Sequence, residues 1–160
     1  MSILSAQTIR MLCHYPAPGA LWPLVAPFSE RTKDNGRSYG LSGCGYDVRL
    51  AKGMWLWPFW GRLNSIMEHL SLPDDICAEV KDKSTNARLF VFVQNTVIEP
   101  GWHGYLTLEL TRFLPWPIWL PAGTPIAQIM FKQLDKPTCQ PYDGKYQGQK
   151  AGAQPAIMER

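Results

Sequence analysis

Prolines and glycines interrupt this chain at short intervals: 14 Pro and 13 Gly stand among 160 residues. Each tends to end a regular element, proline by fixing φ and lacking an N–H, glycine by its conformational freedom. The apolar runs between them are short. Frequent turns with short apolar runs favour a mainly β fold over a helical bundle. The length suits a single domain, residues 1–160, around one core. Hydrophobic residues at 46% and charged residues at 18% describe a globular chain rather than a disordered one.

The net charge is +3, and the basic residues are scattered. That balance permits an anionic small ligand and argues against a nucleic-acid partner. Cys13, Cys44, Cys77 and Cys139 are far apart, with no CxxC. The neighbours Cys13 and His14 are either half of a metal site or, more commonly, incidental residues in a reducing compartment. The apolar stretch Met54 to Trp60 is seven residues long and holds a proline, too short to cross a bilayer. No signal-peptide pattern is visible at the start, so a soluble, cytoplasmic protein without a membrane partner is expected.

A helix is expected over Ser2 to Tyr15, capped by Ser2 or Ser5 and ended by Pro16 and Pro18. Residues 16–45 read as irregular loop with one short strand, followed by a strand over Tyr46 to Leu50. Met54 to Trp60 carries three tryptophans: a core or subunit-interface strand, or else an exposed aromatic patch for a partner. Leu63, Ile66, Met67 and Leu70 recur at i, i+3, i+4, i+7, which predicts an amphipathic helix between Gly61 and Pro73. Strands follow over Ile76 to Val80, Leu89 to Val93 (buried on both faces), Ile118 to Leu120 and Ile126 to Phe131.

Three segments can carry chemistry. Tyr105 to Thr111 alternates, with Leu106, Leu108 and Leu110 on one face and Thr107 and Glu109 on the other. Glu109 is then either a solvated strand residue or a carboxylate in a pocket, able to move protons. Lys83-Ser84-Thr85-Asn86-Ala87-Arg88 brackets hydroxyls and an amide between two cations at a corner, a phosphate cradle or an ordinary polar loop. Gly144 to Lys150 is a glycine-flanked lid or a loose terminus; residues 136–160 as a whole read as a mobile C-terminal lid.

Taken in order, these strings resemble the dCTP deaminase family of the dUTPase-like superfamily. The matching blocks are Ser38 to Ser42, Gly45 to Leu50, Ala78 to Arg88, Ile98 to Leu110, Pro125 to Ile129, Pro141-Tyr142 and Gly144 to Gln149. The resemblance implies a distorted β-barrel or jelly-roll with a few short helices, assembled as a homotrimer with active sites between subunits. It implies that Glu109 is the catalytic general base and acid, helped by Ser84 and Arg88. It assigns phosphate and nucleotide contacts to Lys83, Ser84, Thr85, Asn86, Ala87 and Arg88, and further contacts to Thr107, Leu108, Gln128, Tyr142, Lys145 and Gln149. Glu99 falls where an acid meets the deoxyribose 3′-OH, and Trp102 where a ring packs under the sugar.

The activity implied is hydrolytic deamination of a deoxycytidine nucleotide, dCTP above all. Zinc deaminases carry H-x-E and P-C-x-x-C, which this chain lacks, so no zinc is expected. Mg²⁺ is expected to travel with the triphosphate. A dUTPase or bifunctional enzyme, with Glu99 activating water, is the main alternative; a non-catalytic nucleotide-sensing module is the second. Residues 51–75 depart from the family pattern, Phe90-Val91 replace small residues, and Asn86 and Asn95-Thr96 fall near the expected pocket. These departures leave open triphosphate against monophosphate, and plain against modified cytosine.

Overall fold

The structure is a computed structural model; it describes residues 2–16, 20, 22–34 and 36–158. The chain begins with strand β1 (Ser2–Ile3) and helix α1 (Ala6–His14), then β2 (Val25–Ala26), β3 (Thr32–Asp34), β4 (Arg37–Ser42) and β5 (Gly45–Arg49). It continues through β6 (Met54–Leu56), β7 (Arg62–Ser71), β8 (Ile76–Asp82) and the short helix α2 (Ser84–Arg88). The last strands are β9 (Val91–Val93), β10 (Val97–Ile98), β11 (His103–Arg112), β12 (Ile118–Leu120) and β13 (Pro125–Gln133).

Every strand pairing is antiparallel among the described residues. The larger sheet runs β10-β8-β13-β5-β4-β3, with β1 also on β13; the second runs β2-β7-β11-β9, and β6 pairs with β12. A bridge between Leu50 and Ile66 joins the two main sheets. The inward faces supply Tyr46, Val48, Leu50, Ile66, Leu70, Leu108, Leu110, Ile129 and Phe131, all buried in one core. No helix of the described residues is long and apolar enough to cross a membrane.

Four expectations are corrected. The segment between Gly61 and Pro73 is strand β7, not a helix. Its inward side includes Asn64, Ile66, Glu68 and Leu70, while Leu63 and Met67 face out at 43% and 40% exposure. Alternation is there, but a buried glutamate disguises it. Glu68 is 0% exposed and accepts from Arg49 Nε at 2.8 Å and from the Arg49 backbone N–H at 3.0 Å. This pair ties β7 to β5, satisfying a charge that would otherwise be costly to bury.

The helix at the start is shorter than expected and follows a two-residue strand; Ser5 occupies its N-cap position without a side-chain capping bond. Residues 16–45 hold three strands, β2, β3 and β4, rather than one. The expected strand from Leu89 begins only at Val91, because Leu89 closes α2 and Phe90 takes a positive φ of 54°.

The Trp-rich stretch divides between core and surface. Met54 and Leu56 are buried, whereas Trp55, Trp57, Phe59 and Trp60 are exposed. Trp55 packs on Trp119 of β12 at 5.5 Å between ring centroids. Phe59, Phe113, Phe92 and Phe90 continue as ring neighbours at 5.6–6.5 Å, ending beside α2.

Candidate active site

The alternation of β11 sets the geometry. Leu108 and Leu110 point into the core, so Thr107 and Glu109 take the opposite face. A register shift between Tyr105 and Thr107 against β7 re-aims this face beside Leu63. The turn before β11 is fixed by Gly101 at φ +82°, where a Cβ would stand 2.7 Å from Pro141 Cβ. It brings Glu99 and Trp102 alongside.

A cavity of about 480 Å³ opens there, large enough for a small organic ligand. Glu99, Trp102, Thr107, Glu109, Tyr142 and Gln149 all line it. These six were singled out from the sequence, and one chain brings them together. Trp102 is nearly buried, and its Nε1–H donates to the Tyr146 carbonyl at 2.8 Å.

The tail is docked on this site. Tyr142 N–H donates to Pro100 O at 2.8 Å, and Gln147 Nε2 donates to Gly101 O at 2.8 Å. His103 N–H donates to Gln147 Oε1 at 3.0 Å, and Tyr105 N–H to Gln149 O at 2.9 Å. Tyr146, Gln154, Pro155 and Ala156 also line the cavity. Sequence reasoning missed these four; Tyr146 lay inside a matched motif, and residues 154–156 carried no signal of their own.

The remaining expected residues lie elsewhere in the chain. None of Lys83, Ser84, Thr85, Asn86, Ala87 or Arg88 lines the cavity of its own chain. Ser84, Thr85 and Arg88 are exposed on α2. Lys83 is held by the Asp47 carboxylate, whose second oxygen, Oδ1, is buried and accepts no hydrogen bond among the described residues. Asn86 is buried and spent on the fold: its Nδ2 donates to Pro125 O at 2.8 Å and to Ile126 O at 3.0 Å, and its Oδ1 accepts from Arg37 at 3.2 Å. Its side chain does not line the cavity of its own chain.

Leu108 is 1% exposed and points into the core, so only its backbone could meet a ligand. Gln128 donates to Ser42 Oγ at 2.9 Å, and Lys145 is exposed with its ammonium over the Tyr146 ring at 5.5 Å. Cys13 is buried, which pushes its thiol up to about 11, while His14 packs edge-on to Phe28. Among the described residues no three His, Cys, Asp or Glu side chains converge as a metal site. Beside the tail's docking strand, burial and the neighbouring His103 hold His69 below the usual histidine range.

The fold is that of the dUTPase-like proteins. The dCTP deaminase structure from Agrobacterium tumefaciens superposes with a TM-score of 0.64 at 22% identity, over 82% of this chain and 47% of that one. This chain thus spans about half the length of that structure. The dUTPase of S. aureus phage phi11 superposes with a TM-score of 0.55 at 15% identity, over 75% of this chain and 95% of that one.

Sequence narrows the class. The family model described as dCTP deaminase-like matches residues 48–134, more than half of the chain. The dCTP deaminase of Campylobacter curvus is 28% identical over 99% of this chain and 100% of its own length. That of Campylobacter hominis is 31% identical over 85% of this chain and 89% of its own. The chain belongs to the dCTP deaminase-like family.

Proposed function

We propose that this protein converts dCTP to dUTP and ammonia, with Glu109 as the single proton carrier. The observation that carries this reading is the place of Glu109: a carboxylate on the outward face of β11, lining a cavity with Glu99 and Trp102. Water adds poorly to C4 of cytosine unless a base takes its proton. Glu109 accepts that proton as the C4–O bond forms and passes it to N3. The carboxylate then takes the proton of the new hydroxyl and gives it to the amino group; the C4–N bond breaks, C4=O forms and ammonia leaves. Both protons of one water are accounted for, and Glu109 ends as the carboxylate it began as. One carboxylate serves both proton transfers, so the scheme needs no zinc.

Mg²⁺ enters bound to the triphosphate. Phosphate and water would supply its oxygen ligands, with no dedicated protein cage required. It supplies charge neutralisation.

We further propose a homotrimer in which the 83–88 corner of a neighbouring subunit completes each site. Two observations support it. Ser84, Thr85 and Arg88 of this corner are exposed, and no residue of it lines its own chain's cavity. The strip from Phe90 to Phe59 that begins beside it is a contiguous aromatic surface of the kind an interface covers.

Glu99 lines the same cavity, which favours dUTP hydrolysis as the second reading. The test is product analysis with dCTP, dCMP and dUTP. Ammonia from dCTP, lost in Glu109→Gln while binding persists, is the expected result. Pyrophosphate from dUTP without ammonia from dCTP would assign a dUTPase. Tight binding with neither product would make the chain a nucleotide-binding module.

A further inference from the structure

Residues 149–156 run beside the Glu109 cavity, and one hydroxyl takes two of the hydrogen bonds that hold them there. Thr107 stands two residues before Glu109 on the same face of β11. Its Oγ1 accepts from Gln149 Nε2 at 2.8 Å and from the Gln154 backbone N–H at 3.0 Å. A threonine hydroxyl has two acceptor lone pairs, so the tail fills both. The chain between these attachments leaves Lys150 exposed. Beyond them, Gln154, Pro155 and Ala156 line the cavity with Glu109, and Ile157 N–H donates to the Tyr146 hydroxyl at 3.0 Å.

We propose that Thr107 is a positioning residue: its hydroxyl holds the strap 149–156 closed, and Gln154–Ala156 thereby form a wall of the nucleotide site. The inference rests on reading this cavity as that site. The strap lies beyond the Gly144–Gln149 lid motif for most of its length. Between the Tyr105–Gln149 backbone bond and the Ile157–Tyr146 bond, two donors of the strap meet the one Thr107 oxygen. Valine keeps the shape of threonine and removes the acceptor, leaving both donors without their partner. Serine keeps the oxygen and drops only the methyl group.

The test uses the full chain and two readouts. Trypsin cleaves after Lys150, and mass spectrometry follows release of the peptide beginning at Ala151. Cleavage requires the strap to lift, so its rate reports the open population. Thr107→Val is expected to release the peptide about tenfold faster than the wild type, and Thr107→Ser at the wild-type rate. In steady state, Thr107→Val is expected to raise KM for dCTP about tenfold with kcat within about twofold, and Thr107→Ser to restore KM.

Release from Thr107→Val at the wild-type rate overturns the proposal. So does faster release with unchanged KM, or a fall in kcat alone. If the wild type yields no ammonia from dCTP, the deaminase reading fails, and the proteolysis arm, which involves no nucleotide, still decides the pin.

Discussion

Two inactive variants should rescue one another, and the degree of rescue counts the subunits. The corner bearing Ser84 and Arg88 does not line the cavity that Glu109 lines in the same chain. If both act in one site, each site draws on two chains. Consider Glu109→Gln, which spoils the pocket, and Arg88→Ala, which spoils the corner. Arg88 is exposed and Glu109 only partly buried, so both variants are expected to fold.

Each homo-oligomer is expected to be inactive. Co-expression with two affinity tags, followed by selection for both, isolates rings containing both variants. A site then works only where an Arg88→Ala subunit offers its intact pocket to the intact corner of a Glu109→Gln neighbour. In a three-membered ring that junction occurs once, whether the ratio is one to two or two to one. Doubly tagged material should therefore show about one third of the wild-type kcat per site, with unchanged KM at the working sites. A dimer would give about one half. Ammonia release from dCTP reads the fraction directly. Doubly tagged protein no more active than its parents would refute the shared site, because each chain would then supply its own corner.

Other expectations follow from single contacts. Glu68→Ala leaves the Arg49 guanidinium and backbone N–H without their acceptor; it should cost about 3–5 kcal/mol, read as a lower urea midpoint, whereas replacing both residues by methionine should cost much less. At Gly104 the backbone has φ +143°, and a Cβ would stand 2.7 Å from Gln149 N and 2.8 Å from Gln149 O. Gly104→Ala should push the tail off β11 and lower kcat/KM by about tenfold or more, with the melting temperature of the sheets little changed. Hydrogen bonds from Lys132 and Lys81 hold Glu79 down at about 2. Its stabilising contribution is therefore present above the ordinary carboxylate range and disappears as pH falls toward about 2, which a carboxyl-carbon NMR titration checks.

The part of the site that was legible in the sequence lies on β11. Leu108 and Leu110 at alternate positions leave a face for Glu109 and Thr107 that only a strand can create, and the neighbouring turn names itself through Pro100-Gly101; Leu106, expected with the other two leucines, instead lines the cavity at the register shift. β7 was illegible for the opposite reason. Period-2 reading needs apolar residues inside, and here Asn64 and Glu68 hold inward positions because partners elsewhere satisfy them. Leu63 and Met67, facing out, then completed a false helical spacing. A hydrophobic pattern reports burial only where burial is apolar, and a buried ion pair removes the signal it depends on.

The same limit explains the 83–88 corner and the tail. Lys83, Asn86 and Arg88 look alike on paper as polar residues at a turn. In the fold they divide by partner: Lys83 is held by Asp47, Asn86 is buried under Pro125 and Ile126, and Arg88 is left exposed. Residue type announced a polar corner, but which side chains the fold consumes depends on strands far away in sequence. For the tail, low apolar content suggested mobility, since little hydrophobic area is available to hold it. In the structure backbone hydrogen bonds to Pro100, His103 and Tyr105, which any sequence can make, dock it together with the side chains of Gln147 and Gln149. The backbone part of that hold leaves no compositional trace beyond the glycines that let the backbones approach, Gly101 and Gly104, whereas the glutamine part was recorded in the Gly144–Gln149 motif.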